Sequence, residues 1–249
     1  MSVVVITPTT GSHHLAKAME STNSQPCEHW IVIDGEEHAQ KVADILQAGD
    51  YVNKKVIMLP ENTGRPKEFH SQMPRGRTDD GDRYFNGHRI YAAIPYLINK
   101  PYVMFLDEDN WFDDNHVETM LQMMVGGINW CYTLRRLVDQ EGNVIGEDDC
   151  DSLGVFANQR NVNFVDMNCY CFKTRFLIDV SQSLYVWHKA DKSLYKAAFA
   201  HTDPFDPFGC TGVSTVNYRI SRAKQRQWFE EGNKKMFEMY NGSFPWRAK

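Results

Sequence analysis

The 249-residue sequence predicts an α/β fold, with a doubly wound, mostly parallel sheet first and a mixed or antiparallel region appended to it. Two observations carry this. Over the first third, short apolar runs alternate with amphipathic segments, and the runs lack the polar alternation of a sheet with one wet face. Later, candidate strands are joined by short polar turns, as antiparallel neighbours are.

Val3 to Ile6 is a continuous apolar run, as a strand buried on both faces requires. Ser12 is placed to cap a helix carrying Leu15, Ala18 and Met19. Trp30 to Ile33 makes a second buried strand that ends at Asp34-Gly35. Glu36 to Gln47 reads as a helix with Val42, Ile45 and Leu46 on one face, and Lys55 to Leu59 as a third strand stopped by Pro60. This order implies parallel strands with right-handed crossovers. Residues 61–83 are polar and rich in turn residues, including Arg65, Arg75, Arg77 and Arg83, and a long mobile loop is expected there. A helix is expected from Tyr84 to Leu97, then a strand from Tyr102 to Leu106 and a helix from Asp113 to Met124 whose first-turn acids suit the macrodipole. The rest predicts strands at Trp130–Val138, Val144–Ile145 and Asn163–Phe172, and helices at Thr174–Val180 and Lys189–Phe199. Thr211 to Arg219 reads as a loop leading to a short strand.

This length buries one substantial core, so residues 1–249 are read as one domain with halves 1–112 and 113–249. No apolar run approaches the roughly 20 residues that span a bilayer, and Val3 to Ile6 is too short for a signal peptide, so no membrane anchor and a cytoplasmic protein are expected. The six cysteines contain no CxxC pair and read as reduced thiols. A net charge of −5 argues against an extended nucleic-acid-binding surface, yet Val213 to Lys249 carries eight Lys/Arg against three Glu, a balance of 8 − 3 = +5. That segment is either a solvated helix or a surface for an anionic partner.

The most informative tripeptide is Asp107-Glu108-Asp109, directly after the strand Tyr102 to Leu106. Open parallel sheets bind ligands outside the carboxyl ends of their strands. Three adjacent carboxylates repel one another unless a cation sits among them. Mg²⁺ and Mn²⁺ prefer oxygen ligands and often share their shell with substrate phosphates. Asp107 and Asp109 are therefore candidate metal ligands, and a cation there would neutralise a leaving diphosphate. A structural reading, an acidic turn that caps the next helix, stays open beside this one. Asp34 has two readings as well: acceptor for a base N–H such as uracil N3–H, or cap of the helix that follows.

These pieces together resemble the GT-A glycosyltransferases of the family-2-like kind. Val3 to Ile6 followed by Thr7-Pro8-Thr9 is similar to their opening strand, and Trp30 to Gly35 to their second strand, which ends in a base-holding aspartate. Asn62-Thr63-Gly64 resembles the Asn-x-Gly after the third strand, Asn86-Gly87-His88-Arg89 falls where the family has an Arg-Asn-containing helix, and Phe105 to Asp109 matches the metal-binding strand end. The likeness covers roughly residues 3–112. It departs in having a single aspartate, Asp34, after the second strand, and an inverted, separated Asn86/Arg89 pair.

The resemblance implies a Mn²⁺- or Mg²⁺-dependent glycosyltransferase that moves a sugar from a nucleotide diphosphate, UDP by preference, to an acceptor hydroxyl with inversion. Donor contacts are then expected from Thr7, Pro8, Thr9, Asp34, Gly64, Asn86, Arg89, Asp107, Glu108 and Asp109, with Arg219 closing over the diphosphate. His188 or His201 would complete the metal shell. Asp191, opening a helix, is the preferred base, with Asp166 as its rival. A saccharide, a protein or a modified nucleic-acid base remain possible acceptors. Two alternatives stand beside this reading. A nucleotidyltransferase also uses carboxylate-held Mg²⁺, but it wants a glycine-rich basic phosphate loop after the first strand, and Thr9 to His14 has one glycine and no arginine. The other is a non-catalytic carbohydrate- or nucleic-acid-binding module.

Overall fold

The computed structural model describes residues 2–64, 87–148, 152–154, 164–186, 189–202 and 208–220. Strands β1 (Val3–Thr9), β2 (Cys27–Ile33), β3 (Lys54–Met58) and β4 (Tyr102–Phe105) pair in parallel in the order β3-β2-β1-β4. Helices α1 (Leu15–Glu20), α2 (Ala39–Ala48) and α3 (His88–Ala93) lie in the crossovers. Because β1 is central and apolar at every position from Val3 to Ile6, it is buried on both faces, while edge strand β3 leaves Val56 and Met58 exposed.

The sheet continues without a break beyond β4. Strand β8 (Tyr170–Lys173) pairs antiparallel with β4, and β6 (Trp130–Val138) antiparallel with β8. Strand β9 (Gly209–Arg219) then runs parallel to β6, and the two-residue β5 (Trp111–Phe112) closes the order antiparallel to β9. Strand β7 (Val144–Glu147) folds back on the far end of β6 as a hairpin. Following those directions, six of the nine strands run the same way, so the second half is mixed rather than antiparallel. Helices α4 (His116–Met124), α5 (Thr174–Val180) and α6 (Ala190–Ala200) pack around it. Trp130, Tyr132, Tyr170, Phe172, Phe105 and Tyr91 form a fully buried aromatic core that bridges the two halves.

Several expectations are corrected. Ser12 accepts from the His14 N–H, but the helix starts at Leu15 with His14 at its cap and no side-chain cap bond. The helix before β4 shortens to His88–Ala93 plus a 3₁₀ turn Ile94–Leu97, because Pro95 cannot donate into an α-helical ladder. Gly87 begins it at φ +77°, where a Cβ would stand 2.9 Å from the Pro8 ring. Asp113 lies outside α4, drawn off by Arg136 Nη2 at 2.8 Å and Asn217 Nδ2 at 2.7 Å. The strand expected from Asn163 begins only at Tyr170. Asp166 accepts from the Asn168 N–H at 3.0 Å, and this short loop competes with a ladder, giving a 3₁₀ turn at Met167–Cys169.

The largest miss is β9, an eleven-residue strand where a loop and short strand were expected. Its polarity hid it. Thr215 bonds to His116 Nδ1 at 2.8 Å and to Thr133 at 3.0 Å, and Asn217 to Asp113, so the polar side chains are consumed internally. The strand signal was its β-branched content, Thr211, Val213, Thr215 and Val216.

Candidate active site

Parallel pairing puts the carboxyl ends of β1, β2 and β4 side by side, and a cavity of about 1510 Å³ opens there. Its lining includes Pro8, Thr9, Asp34, Gly64, Arg89, Asp107, Glu108, Asp109, Asp166 and Asp191. The strand-end motifs of the first half thus meet two carboxylates of the second.

Asp34 is buried at the end of β2, and its Oδ1 accepts the Thr63 N–H at 2.7 Å. Asn62 completes the turn, donating to the Asp34 carbonyl at 2.8 Å and accepting from the Gly64 N–H. The following 3₁₀ turn has Gly35 at its cap and no side-chain cap bond, so Asp34 braces the Asn62-Thr63-Gly64 turn rather than a helix. Burial pushes its carboxyl up despite the Thr63 bond. Arg89 reaches the Thr63 carbonyl at 3.3 Å and the Tyr185 hydroxyl at 2.9 Å, framing the same wall.

The three acids at the end of β4 have three different jobs. Glu108 turns back on the β1–α1 loop, accepting from Thr9 Oγ1 at 2.5 Å, the Ser12 N–H at 2.9 Å and Thr10 at 3.3 Å. Asp107 points into the cavity floor, held on Oδ1 by the Tyr91 hydroxyl at 2.8 Å and on Oδ2 by Asn168 Nδ2 at 2.9 Å. Burial, then the charges of Asp109 and Asp166, push Asp107 up to about 7 against the two hydrogen bonds. Asp109 opens to the cavity, and its enclosure, with Glu108 and Asp166 nearby, raises it as well.

Asp166 is half of a different arrangement. Arg135, buried in the middle of β6, donates to Asp166 Oδ2 at 2.5 Å and to Asp148 Oδ2 at 2.6 Å. Asp166 Oδ1 accepts Asn168 Nδ2 at 2.7 Å. Both oxygens of Asp166 are therefore engaged. Asp191 sits in the first turn of α6 and lines the cavity directly.

Other expected contacts lie elsewhere. Thr7 is fully buried against His29 Nε2 at 2.7 Å, because it lies inside the sheet, short of the strand end where Pro8 and Thr9 reach the cavity. Arg219 does not line the cavity; it donates to the Asp109, Asp139 and Gln140 carbonyls and lies over Trp111, stapling the β6–β7 hairpin to the β4 end. His201 follows the last turn of α6, its Nδ1 bonded to the Ala197 carbonyl at 2.8 Å. It does not line the cavity that Asp107 and Asp109 share. Asn86, His188 and the loop arginines Arg65, Arg75, Arg77 and Arg83 lie outside the described residues.

The sequence reading missed Tyr91, Asn168, Arg135 and Asp148. Arg135 did leave a signal, a charge inside an apolar strand that demands a buried carboxylate. Tyr91 and Asn168 left none, since only the fold brings them to Asp107.

The lining fits a divalent cation in part. It carries eight carboxylates, from Asp34, Glu37, Glu61, Asp107, Glu108, Asp109, Asp166 and Asp191, against one arginine. Asp107 and Asp109 form no ion pair among the described residues. Arg219 stands near Asp109 but donates to its carbonyl, so the two carboxylates are left as hard oxygen donors of the kind that suits Mg²⁺ or Mn²⁺. No group of three or more His, Cys, Asp or Glu ligands occurs among the described residues, so phosphate or water oxygens would have to complete the shell.

No protein-family model matches the sequence, and no curated protein matches it. Solved structures do match. The S. aureus TarS 1–349 fragment superposes with TM-score 0.61 at 12% identity, covering 88% of this chain and 60% of the fragment. The same fragment in complex with UDP gives TM-score 0.61 at 13% identity over 89% of this chain and 61% of that one. Its complex with UDP-GlcNAc gives TM-score 0.58 at 12% identity, covering 88% and 59%. Against S. aureus TarS itself this chain spans 44% of the length. At such identity the likeness is one of fold: a mixed α/β domain with a mostly parallel sheet. No helix among the described residues is long and apolar enough to cross a membrane.

Proposed function

We propose that this chain is a GT-A-type glycosyltransferase that uses a nucleotide-diphosphosugar, a UDP-sugar by preference, together with Mn²⁺ or Mg²⁺. The observation that carries it is the pair Asp107 and Asp109, two carboxylates with no salt bridge among the described residues, lining a large cavity at the carboxyl ends of parallel strands. A cavity so rich in carboxylates repels a diphosphate unless a cation stands between them. The likeness in fold to a protein solved with UDP and with UDP-GlcNAc supports the same donor class.

Asp34, with Asn62 and Thr63, would receive the base, and Asp107 with Asp109 would hold the cation. Bound there, a divalent cation supplies the positive charge that stabilises the leaving diphosphate. Asp191 takes the proton of the acceptor hydroxyl, and inversion is the outcome that the resemblance to family-2-like enzymes implies. Asp166 is the weaker candidate, because Arg135 and Asn168 occupy both its oxygens. Glu108 argues against nucleotidyl transfer. The loop after β1 would have to offer its N–H groups to phosphate, yet Thr10 and Ser12 already point theirs at this carboxylate. The acceptor is a hydroxyl on a saccharide, a protein or a modified base; the +5 balance of Val213 to Lys249 motivates testing nucleic acid as well.

A thermal-shift panel of nucleotide sugars, with and without Mn²⁺, tests this reading. A UDP-sugar should stabilise the protein only with Mn²⁺, by about 2.7 kcal/mol at a hundredfold excess over Kd. Asp191→Asn should keep that stabilisation and lose 10²-fold or more in UDP-sugar turnover, on the order of what a general base contributes. A shift that ignores Mn²⁺, or no shift with any nucleotide sugar, contradicts the assignment. Stabilisation without turnover of any sugar nucleotide favours a binding module.

A further inference from the structure

Asn168 is fully buried between β4 and the Arg135 pair, on the 3₁₀ turn that precedes β8. Every polar atom of its side chain is used. Its Oδ1 accepts the Asp107 N–H at 2.5 Å, while Nδ2 donates to Asp107 Oδ2 at 2.9 Å and to Asp166 Oδ1 at 2.7 Å. The orientation of the amide follows from the Asp107 N–H, which only donates, so Oδ1 faces it and Nδ2 is left to the two carboxyl oxygens. No other side chain of this size meets all three demands. Aspartate would bring a third negative charge and no donor, and leucine would strand the Asp107 N–H and take one donor from each carboxylate, leaving Asp107 to Tyr91 and Asp166 to Arg135.

We propose that Asn168 is the positioning residue of the cation site: it fixes the plane of the Asp107 carboxylate and ties it, through Asp166, to the buried Arg135. This rests on the assignment of Asp107 and Asp109 as cation ligands. Asp107 is clamped from two sides, by Tyr91 on Oδ1 and Asn168 on Oδ2, so its remaining lone pairs face the cavity in one orientation. A carboxylate held this way meets an incoming cation without first losing rotamer freedom. Asp166 is itself anchored, because Arg135 also holds Asp148, and Asp148 accepts the Ser152 hydroxyl at 3.1 Å. The string Asp107–Asn168–Asp166–Arg135 therefore joins the cation site on β4 to the central strand of the second half.

Mn²⁺ binding, followed by the loss of the free-ion electron paramagnetic resonance signal in the presence of UDP, tests this directly. Asn168→Ala should bind Mn²⁺ about 10- to 100-fold more weakly than the wild type, the usual cost of losing a group that orients a ligand. Its circular dichroism spectrum should stay that of the wild type. In the wild-type protein, the Asn168 side-chain NH₂ resonances should shift when Mg²⁺ and UDP are added, a readout that needs no variant to fold. Asn168→Ala that is folded and binds Mn²⁺ within twofold of wild type overturns the positioning role, as do NH₂ resonances unmoved by Mg²⁺ and UDP. Should Mn²⁺ stay free in the presence of wild-type protein and UDP, the cation assignment falls and the positioning role with it.

Discussion

Asp148 and Asp166 share a buried guanidinium, whereas Asp107 and Asp109, one amide side chain away, share none among the described residues. Both pairs lie near the same sheet end, but the first is buried, whereas Asp107 is half-buried and Asp109 is exposed in the cavity. The first pair is compensated within the chain by Arg135, which donates to Asp148 Oδ2 and to Asp166 Oδ2 while Asn168 takes Asp166 Oδ1. In the second pair Asp107 is oriented by Tyr91 and Asn168, and neither carboxylate forms a salt bridge among the described residues. Buried histidines show a third solution. His116 is pushed down to about 3 by burial and stays neutral, stacked on Phe112 and bonded to Thr215. A fold that can pair or neutralise its buried charges, and does so nearby, leaves one carboxylate pair for something that comes from outside.

The largest test of that contrast is Arg135→Met. It strips the counter-charge from two buried carboxylates and should cost about 3–5 kcal/mol in urea unfolding, the range for breaking a buried pair from one side. A loss below about 1 kcal/mol would mean that the Asp148–Arg135–Asp166 set is no more compensated than Asp107 and Asp109. The neutral histidine gives a smaller effect. With a folded pKa of about 3 against roughly 6.5 unfolded, His116 binds its proton less readily in the native state. Its contribution is therefore complete above about pH 6.5 and lost as pH falls towards 3, with a slope approaching about 1.4 kcal/mol per pH unit. His29, lowered by the same burial, acts in the same direction. Unfolding free energies measured from pH 7 to 4 should fall accordingly, and His116→Asn should have a shallower slope. The smallest effect on the unliganded protein belongs to Asp109→Asn. Removing one of two repelling carboxylates should leave stability unchanged or raise it by up to about 1 kcal/mol, while abolishing Mn²⁺-dependent stabilisation by a UDP-sugar. Destabilisation of several kcal/mol would place Asp109 with the structural carboxylates instead.

The parallel half was legible because its cues are local. Uninterrupted apolar runs at Val3 to Ile6 and Trp30 to Ile33 state that both faces are covered, and the acids after Phe105-Leu106 follow directly from chain order. Strand β6 and helix α5 also form with the bounds their patterns predict, Trp130–Val138 and Thr174–Val180. The second half was read less well where polar residues bond to one another. Thr133, Thr211 and Thr215 form a hydroxyl cluster that makes β9 a strand in spite of its polarity, and Asp166 caps its own 3₁₀ turn.

Sequence alone determined that parallel strands would end in carboxylates at one edge, because strand period and chain order are properties of consecutive residues. Tertiary structure alone decided what each carboxylate does. Glu108 braces a loop 98 residues away, Asp166 is matched to an arginine 31 residues away, and Asp107 is held by Tyr91 and Asn168 from opposite sides in sequence. A charge buried near others is defined by its partners, and those partners are set by packing across the sheet rather than by spacing along the chain.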